Sequence, residues 1–143
     1  MHVLLVDDHM DTRAVCAAVI TNLGHTVEAV PTIAAALAAA ARSRFDLLVC
    51  DILLPDGIGY DLMRDLSRRY GLRGIALTGC RLQRDVDQSR AAGFVCHLAK
   101  PVDLGVLAEV IHGLTPATTG QAAVAALAAD SPSRSVGMIA PAV

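Results

Sequence analysis

Acidic side chains follow the apolar segments of this sequence at the positions where buried strands should end. Asp7 and Asp8 come directly after VLLV, and Asp51 follows LLVC within the stretch LLVCDILLPDG. Thr78 closes the segment GIALT, and Lys100 follows HLA. Grouped carboxylates can bind a divalent cation, and a carboxylate that is held in place can act as a nucleophile toward phosphorus. This chemistry requires a fold that brings the five residues together.

Short apolar segments alternate with segments of helical period along the first 114 residues. Five segments rich in Val, Leu and Ile predict strands at residues 3–6, 26–30, 47–50, 74–77 and 95–98. The alternation is typical of βαβ units, so we expect an α/β fold with a doubly wound parallel sheet and helices on both faces. Ligands of such sheets bind beyond the carboxyl ends of the strands, where the five polar residues would lie.

Five helices are predicted between and after these strands. The first covers about residues 11–23 and ends before Gly24, and the second begins after Thr32, a suitable N-cap. The third and fifth carry apolar stripes that should pack on the sheet: Leu62, Met63, Leu66 and Tyr70, and Leu104, Leu107, Ile111 and Leu114. The fourth, residues 81–93, has few apolar anchors and is expected to be the most mobile helix.

Length and composition predict one folded domain at residues 1–114, followed by a tail. The segment 115–143 is rich in Ala, Ser and Pro and is predicted to be largely disordered or to form one short helix. The net charge is −2 and there is no basic block, which argues against nucleic acid as a partner. We see no membrane span and no signal peptide, and therefore expect a cytoplasmic protein without a membrane partner.

Several other polar and thiol side chains are interpreted as structural. The cysteines lack metal-binding or redox spacing and are predicted to be buried reduced thiols: Cys16, Cys50, Cys80 and Cys96. Four histidines are assigned to surface or packing positions because none has metal-ligand spacing with another: His2, His9, His25 and His112. Asp11 and Asp103 are predicted to stabilise helix starts, and Asp56 is predicted to stabilise the turn after Pro55.

The acidic residues at the sheet edge would repel one another and therefore require neutralisation. Two carboxylates roughly 5 Å apart in an effective dielectric of about 20 repel by about 3 kcal/mol. Proton uptake, the Lys100 ammonium or a bound divalent cation could supply the neutralisation. An all-oxygen site of this kind suits Mg²⁺. With Mg²⁺, Lys100 and the Thr78 hydroxyl around it, Asp51 would be the nucleophile that forms an acyl phosphate.

These motifs, in this order, resemble the receiver domain of two-component response regulators. The resemblance covers about residues 1–114 and rests on VDD at residues 6–8, CDILLPDGIG around Asp51, ALTG with Thr78, and HLAKPVD with Lys100. It implies a flavodoxin-like, five-stranded parallel sheet of order 2-1-3-4-5 with five helices. HLAKPVD and LPDGIGYDLM resemble the receivers attached to hybrid histidine kinases more than those fused to DNA-binding domains.

The resemblance also implies a metal site. Asp8 and Asp51 would bind Mg²⁺ directly, Asp7 would bind it largely through water, and the backbone carbonyl of Leu53 would complete the protein ligands.

The resemblance further implies phosphoryl contacts and a switch. Thr78 and Lys100 would contact the phosphoryl group, and the bond between Lys100 and Pro101 would be cis. The usual switch position, three residues before the lysine, is most often Tyr or Phe in the family and is His97 in this sequence. His97 could be a rotamer switch, but a static, partly exposed histidine is the preferred interpretation.

The function implied by the resemblance is signalling. Asp51 would accept a phosphoryl group from the phosphohistidine of a sensor histidine kinase or a histidine phosphotransfer protein. The surface made by the fourth helix, the fifth strand and the fifth helix would then change for a downstream protein partner, with a homodimer as a further possibility. Self-phosphorylation from donors and self-dephosphorylation would be the only reactions of the domain, which would not otherwise be an enzyme.

Two other functions are known for related arrangements. A haloacid-dehalogenase-type phosphohydrolase also uses a strand-end Asp with Mg²⁺, but it needs a second Asp two residues later, where this sequence has Leu53. A flavin or dinucleotide binder needs a glycine-rich loop after the first strand, where this sequence has DDHMDTR, whose acids would repel a phosphate. The receiver is the preferred hypothesis, and the phosphohydrolase is the alternative.

Overall fold

The computed structural model describes residues 1–79, 87, 90–115 and 136–138. Its main sheet contains five parallel strands: β1 (His2–Val6), β2 (Thr26–Val30), β3 (Leu47–Asp51), β4 (Arg73–Thr78) and β5 (Phe94–Ala99). They are hydrogen-bonded in the order β2-β1-β3-β4-β5. The predicted fold class and strand order are therefore confirmed, and the predicted strand ends differ by one residue at most.

Helices cover both faces of the sheet. Four have defined bounds: α1 (Met10–Asn22), α2 (Ile33–Arg42), α3 (Gly59–Tyr70) and α5 (Leu104–Leu114). The predicted fourth helix, α4, is described only at residues 87 and 90–92, which are helical. Its expected mobility lies outside the described residues and stays a prediction. Among the helices that the structure defines, none has the length and hydropathy needed to cross a bilayer.

The sheet is buried on both faces, which explains its almost unbroken Val, Leu and Ile strands. Side chains alternate along each strand, so Val3 and Leu5 of β1 face one core while Leu4 and Val6 face the other. One core also contains α1 and α5, and the opposite core contains α2 and α3. The two cores hold the strands rigidly and fix the positions of the residues at their carboxyl ends.

The apolar stripes pack on the sheet except at the helix ends. Leu62, Met63 and Leu66 of α3 are buried as predicted, whereas Tyr70 is half exposed. Leu104 is likewise exposed, although it was predicted to belong to the buried stripe of α5. Tyr70 and Leu104 are terminal residues of their helices, where the neighbouring elements cover a side chain from fewer directions.

Side-chain caps fix the start of α2. Thr32 is the N-cap, and its Oγ1 accepts a hydrogen bond from the Ala35 N–H at 3.1 Å. The Asp56 carboxylate accepts two more, from the N–H groups of Ile33 at 2.9 Å and Ala34 at 3.0 Å. These bonds lower the pKa of Asp56, because they favour the charged carboxylate. Asp56 therefore joins the loop after β3 to α2, a role beyond the turn predicted for it.

The predicted cap of α5 is confirmed, and the prediction for the start of α1 is confirmed in part. Asp103 Oδ1 accepts a hydrogen bond from the Val106 N–H at 3.1 Å and caps α5 as predicted. Asp11 lies in the first turn of α1, where its charge favours the helix dipole, but the N-cap is His9, which makes no side-chain cap. Gly24 follows α1 with a φ of 89°, a backbone conformation that favours glycine.

Part of the tail extends the main sheet. β6 (Val136–Met138) pairs antiparallel with β5, with Gly137 opposite His97. These three residues form a strand, while the prediction that residues 115–143 are largely disordered or form one short helix stays a prediction. The edge of β5 offers unpaired backbone groups, and pairing with a distant segment leaves no local sequence signal. The other residues after 115 lie outside the described part of the chain, so the domain boundary stays a prediction.

Candidate functional site

The parallel pairing of β1 and β3 places the acidic residues side by side. Val6 lies opposite Cys50 in the register, so Asp7 and Asp51 follow at the same edge of the sheet. Asp7 is fully buried, Asp51 is almost buried and Asp8 is exposed. One ligand atom from each of these residues and from His9 lies within 4.8 Å of all the others. We call these four residues the acidic cluster.

Lys100 lies between the two buried carboxylates. Its Nζ is 2.9 Å from Asp51 Oδ2 and 3.1 Å from Asp7 Oδ2. The bond between Lys100 and Pro101 is cis, as the resemblance implied, and the Lys100 N–H donates to the Thr78 carbonyl at 2.8 Å. The end of β5 is thereby attached to the end of β4, and the ammonium reaches the acidic cluster.

Burial and ion pairing act in opposite directions on the pKa of each partner. Burial raises the pKa of Asp51; the Lys100 hydrogen bond and charge lower it, and the Asp7 charge adds to the increase, so that the pKa lies above its usual value. Burial by itself lowers the pKa of Lys100, but the hydrogen bonds and charges of Asp51 and Asp7 outweigh it and raise the pKa. Lys100 therefore stays charged and balances one carboxylate of the three.

The acidic cluster fits a hard divalent cation. Asp7 Oδ2 is buried, and its contact among the described residues is the Lys100 ammonium at 3.1 Å, which it shares with Asp51. Three carboxylates against one ammonium leave a site of negative charge, and oxygen donors are the ligands that Mg²⁺ prefers. The donor chemistry and the surplus of negative charge both support a cation site at this edge.

Leu53 and Thr78 also reach the site that the sequence predicts for them. The Leu53 N–H donates to Asp51 Oδ1 at 3.2 Å, and its side chain is 75% exposed. Leu77 lies opposite Asp51 in the register, so Thr78 follows directly at the same edge and is buried there. The sequence prediction named the Leu53 carbonyl as a metal ligand; the observed contact uses its N–H, and the role of the carbonyl stays a prediction.

An open cleft of about 890 Å³ gives access to Asp51. Its polar wall includes Asp8, His9, Thr78 and Lys100. Its lining also includes the exposed side chains of Leu53 and Ile58, which are paired in a short antiparallel hairpin. A phosphoryl donor in solution could therefore approach the Asp51 carboxylate without any rearrangement of the sheet.

The interpretation of His97 as a partly exposed side chain is wrong. Only 5% of His97 is exposed. It is paired with Ala76 of β4 on one side and with Gly137 of β6 on the other. Single-sequence reasoning treated β5 as an edge strand and could not anticipate a neighbour from the tail. Whether His97 acts as a switch is untested by this geometry.

His9 belongs to the site, although the sequence interpretation left it at the surface. Its Nδ1 lies 3.4 Å from Asp7 Oδ1 and 3.4 Å from Asp8 Oδ1, and its side chain is 69% exposed. The sequence signal was its position directly after two acids at a strand end. Comparing histidines only with other histidines missed that signal, because the partners of His9 are carboxylates.

The cysteines that the structure describes are structural. Cys16, Cys50 and Cys96 are buried and none forms a disulfide. Burial raises the pKa of the Cys16 thiol to about 11 and that of Cys96 to about 12, and it also raises the pKa of Cys50. These thiols stay protonated and unreactive near neutral pH, as predicted, while Cys80 lies outside the described residues.

The family model of the response regulator receiver domain matches residues 3–112 of the chain, a range that contains every predicted site residue. The chain belongs to this family. Receiver domains are the regulatory modules of two-component signalling, and the match favours this function over a phosphohydrolase, whose required second Asp is Leu53 here.

Relatives of this receiver include short proteins and long sensors. An uncharacterized 14.6 kDa protein in the sodA1 3′ region of Leptolyngbya boryana is 34% identical over 106 residues, which cover 72% of this chain and 81% of that protein. The aerobic respiration control sensor protein ArcB of Escherichia coli K12 is 33% identical over 115 residues, which cover 78% of this chain and 15% of the sensor.

Solved structures agree with the fold of the receiver. The CheY-like response regulator receiver domain protein of Methanospirillum hungatei is 29% identical and superimposes with a TM-score of 0.72, covering 78% of this chain and 90% of that one. The similarity therefore covers most of this chain and most of that one.

Proposed function

We propose that Asp51 of this receiver accepts a phosphoryl group from the phosphohistidine of a sensor histidine kinase or a histidine phosphotransfer protein. The observation that carries the proposal is the position of the Asp51 carboxylate, which is 2.9 Å from the Lys100 ammonium, beside Asp7 and Asp8, and open to the cleft. A sensor protein and probable histidine kinases among the relatives support a kinase as the donor.

The transfer is an in-line displacement at phosphorus. An Asp51 carboxylate oxygen forms a bond to phosphorus while the bond between phosphorus and the donor imidazole nitrogen breaks, and the imidazole leaves with that electron pair. Lys100 neutralises charge on the phosphoryl oxygens, and the Thr78 hydroxyl donates a hydrogen bond to them.

Mg²⁺ is the cofactor that we propose for this step. Asp8 and Asp51 would bind it directly, Asp7 through water and Leu53 through its carbonyl. When bound, the ion supplies positive charge for the phosphoryl oxygens in transfer. The buried Asp7 carboxylate holds Lys100 in position from the other side, so that the ammonium stays at the cleft when Asp51 is phosphorylated.

The output follows from the loss of the ion pair between Lys100 and Asp51. Phosphorylation joins phosphorus to a carboxylate oxygen of Asp51 and removes the negative charge of the carboxylate, so Lys100 contacts the phosphoryl oxygens instead. Thr78 moves toward the phosphoryl group. His97 lies on β5, three residues before Lys100, and we propose that it transmits the change to the surface made by α4, β5 and α5. A downstream protein partner, or a second copy of the chain in a homodimer, would bind that surface.

A direct test uses the whole chain with Mg²⁺ and a small donor such as acetyl phosphate or phosphoramidate. We expect the intact mass to increase by one phosphoryl group, and hydroxylamine to reverse the increase because acyl phosphates react with it. Chelation of the cation with EDTA should abolish the uptake. A mass increase that is unaffected by EDTA would contradict the role of the cation, and no increase at all would contradict the proposed function.

Lys100→Ala should separate cation binding from the response to phosphorylation. The substitution removes the ammonium at 2.9 Å from Asp51 and leaves all the carboxylates in place. We expect Mg²⁺ binding to persist, while the amide NMR shifts that beryllofluoride causes in β5 and α5 of the wild type are lost. Arg73→Ala, which removes a cation from the opposite end of the sheet, is the control. If Lys100→Ala keeps the full set of shifts, Lys100 has no part in the switch.

A further inference from the structure

We propose that His9 is an additional ligand of the cation site and makes it bind late first-row divalent metals more tightly than its carboxylates alone would. The inference rests on the proposed function, because it requires a cation at Asp8 and Asp51. It concerns the metal selectivity of the site, which the carboxylates do not determine alone.

The ring nitrogen of His9 lies beside the carboxylates of the acidic cluster, where a ligand of the same cation would lie. Its Nδ1 is 3.4 Å from one oxygen of Asp7 and 3.4 Å from one oxygen of Asp8. A ring nitrogen of His9 also lies within 4.8 Å of a carboxylate oxygen of Asp51. Donors to a single small cation lie about 3 to 4 Å from one another, since each is roughly 2 Å from the metal. The spacing of His9 Nδ1 from the oxygens of Asp7 and Asp8 is therefore that of groups around one ion.

The backbone of His9 is anchored so that the ring stays at this edge. Its N–H donates to Asp7 Oδ1 at 2.8 Å, and its carbonyl accepts the first hydrogen bond of α1, from the Arg13 N–H at 3.0 Å. The Arg13 guanidinium also donates to the Asp7 carbonyl at 2.9 Å. Only the side-chain torsions of His9 remain free, and its exposed ring has room for the small adjustment that coordination requires.

A second observation points to a cation at this place independently of His9. Asp7 is fully buried, and the Lys100 ammonium at 3.1 Å from its Oδ2 also contacts Asp51, so one positive charge serves two buried carboxylates. A divalent ion coordinated at the exposed side of the cluster would supply the missing positive charge.

The simplest alternative is that His9 only forms an ion pair with Asp7 and Asp8. The two roles differ in how they depend on the metal. Mg²⁺ prefers oxygen donors, whereas imidazole nitrogen strengthens binding increasingly along the series Mn²⁺, Co²⁺ and Ni²⁺. A purely electrostatic or structural role would change the affinity for all of these divalent ions by the same factor, because they carry the same charge.

The test measures the affinities of Mg²⁺, Mn²⁺, Co²⁺ and Ni²⁺ for the whole chain by calorimetry, with Mg²⁺ competition to confirm a shared site. The variants are His9→Gln and, as a control for adventitious binding to a surface histidine, His112→Gln on α5. For His9→Gln we expect the Mg²⁺ affinity to change by less than about twofold and the Ni²⁺ affinity to fall by about tenfold or more. His112→Gln should leave all four affinities unchanged.

A spectroscopic signature makes the assignment direct. Co²⁺ at the site should produce a paramagnetically shifted, exchangeable imidazole N–H resonance in the wild type, and this resonance should be absent from His9→Gln. An equal fall in affinity of His9→Gln for all four metals, or no fall for any of them, would overturn the inference while leaving the cation site intact. Failure of every metal to bind the wild type would instead reject the cation site of the proposed function, and the inference with it.

Discussion

Asp51→Asn should abolish phosphoryl uptake, reducing the rate of labelling from acetyl phosphate by more than about a hundredfold. The amide keeps the size and hydrogen-bonding shape of the carboxylate but has no anionic oxygen to attack phosphorus. The measurement is the intact mass over time with Mg²⁺ present, read against the same time course of the wild type.

Asp61→Asn is the matched control for this loss. Asp61 lines the same cleft, but its side chain is exposed and paired with Arg64 at 3.0 Å, away from Lys100. We expect its labelling rate to stay within about twofold of the wild type, because a surface ion pair contributes little. Undiminished labelling of Asp51→Asn would show that another side chain is the acceptor. Thermal unfolding of both variants would confirm that the fold is intact.

Gly59→Ala should destabilise the domain by about 3 kcal/mol and impair the site at the same time. A β carbon at this position would overlap the backbone carbonyl of Asp51 and come within 3.1 Å of Cys50 Sγ. A backbone atom of a buried central strand cannot move aside as a flexible side chain can. Relief of the overlap therefore requires a shift of α3 or of the strand end that carries Asp51.

The measurement for Gly59→Ala is the free energy of unfolding from urea denaturation, together with the labelling rate. Gly79→Ala is the control, since a β carbon there meets nothing within 4 Å, and we expect its stability to change by less than about 0.5 kcal/mol. Equal stabilities for the two variants would mean that α3 does not approach β3 as closely as described.

The fold could be predicted from the sequence because its strands are buried on both faces. Strands covered on both faces must be apolar throughout, so the segments ending at Val6 and Cys50 were recognisable without any neighbour information. Thr32 and Asp103 were likewise recognisable as caps, because a cap bonds to a backbone N–H only two or three residues away.

The site could be predicted because its residues directly follow strands. A parallel sheet brings all carboxyl strand ends to one edge, so Asp7, Asp51 and Thr78 had to meet once the strand order was known. The sequence does not give the distances between these side chains. Only the structure shows that Lys100 contacts both Asp51 and Asp7.

The sequence by itself determined the five parallel strands, the caps at Thr32 and Asp103, and the position of Asp51 at a strand end, because each depends on residues that are local in the chain. Tertiary structure alone decided the burial of His97, the hydrogen bonds between Asp56 and the start of α2, and the approach of His9 to two carboxylates. Each of these depends on a neighbour that is distant in sequence or on the direction of a side chain. Periodicity and composition carry no information about such contacts, which arise only when the elements pack.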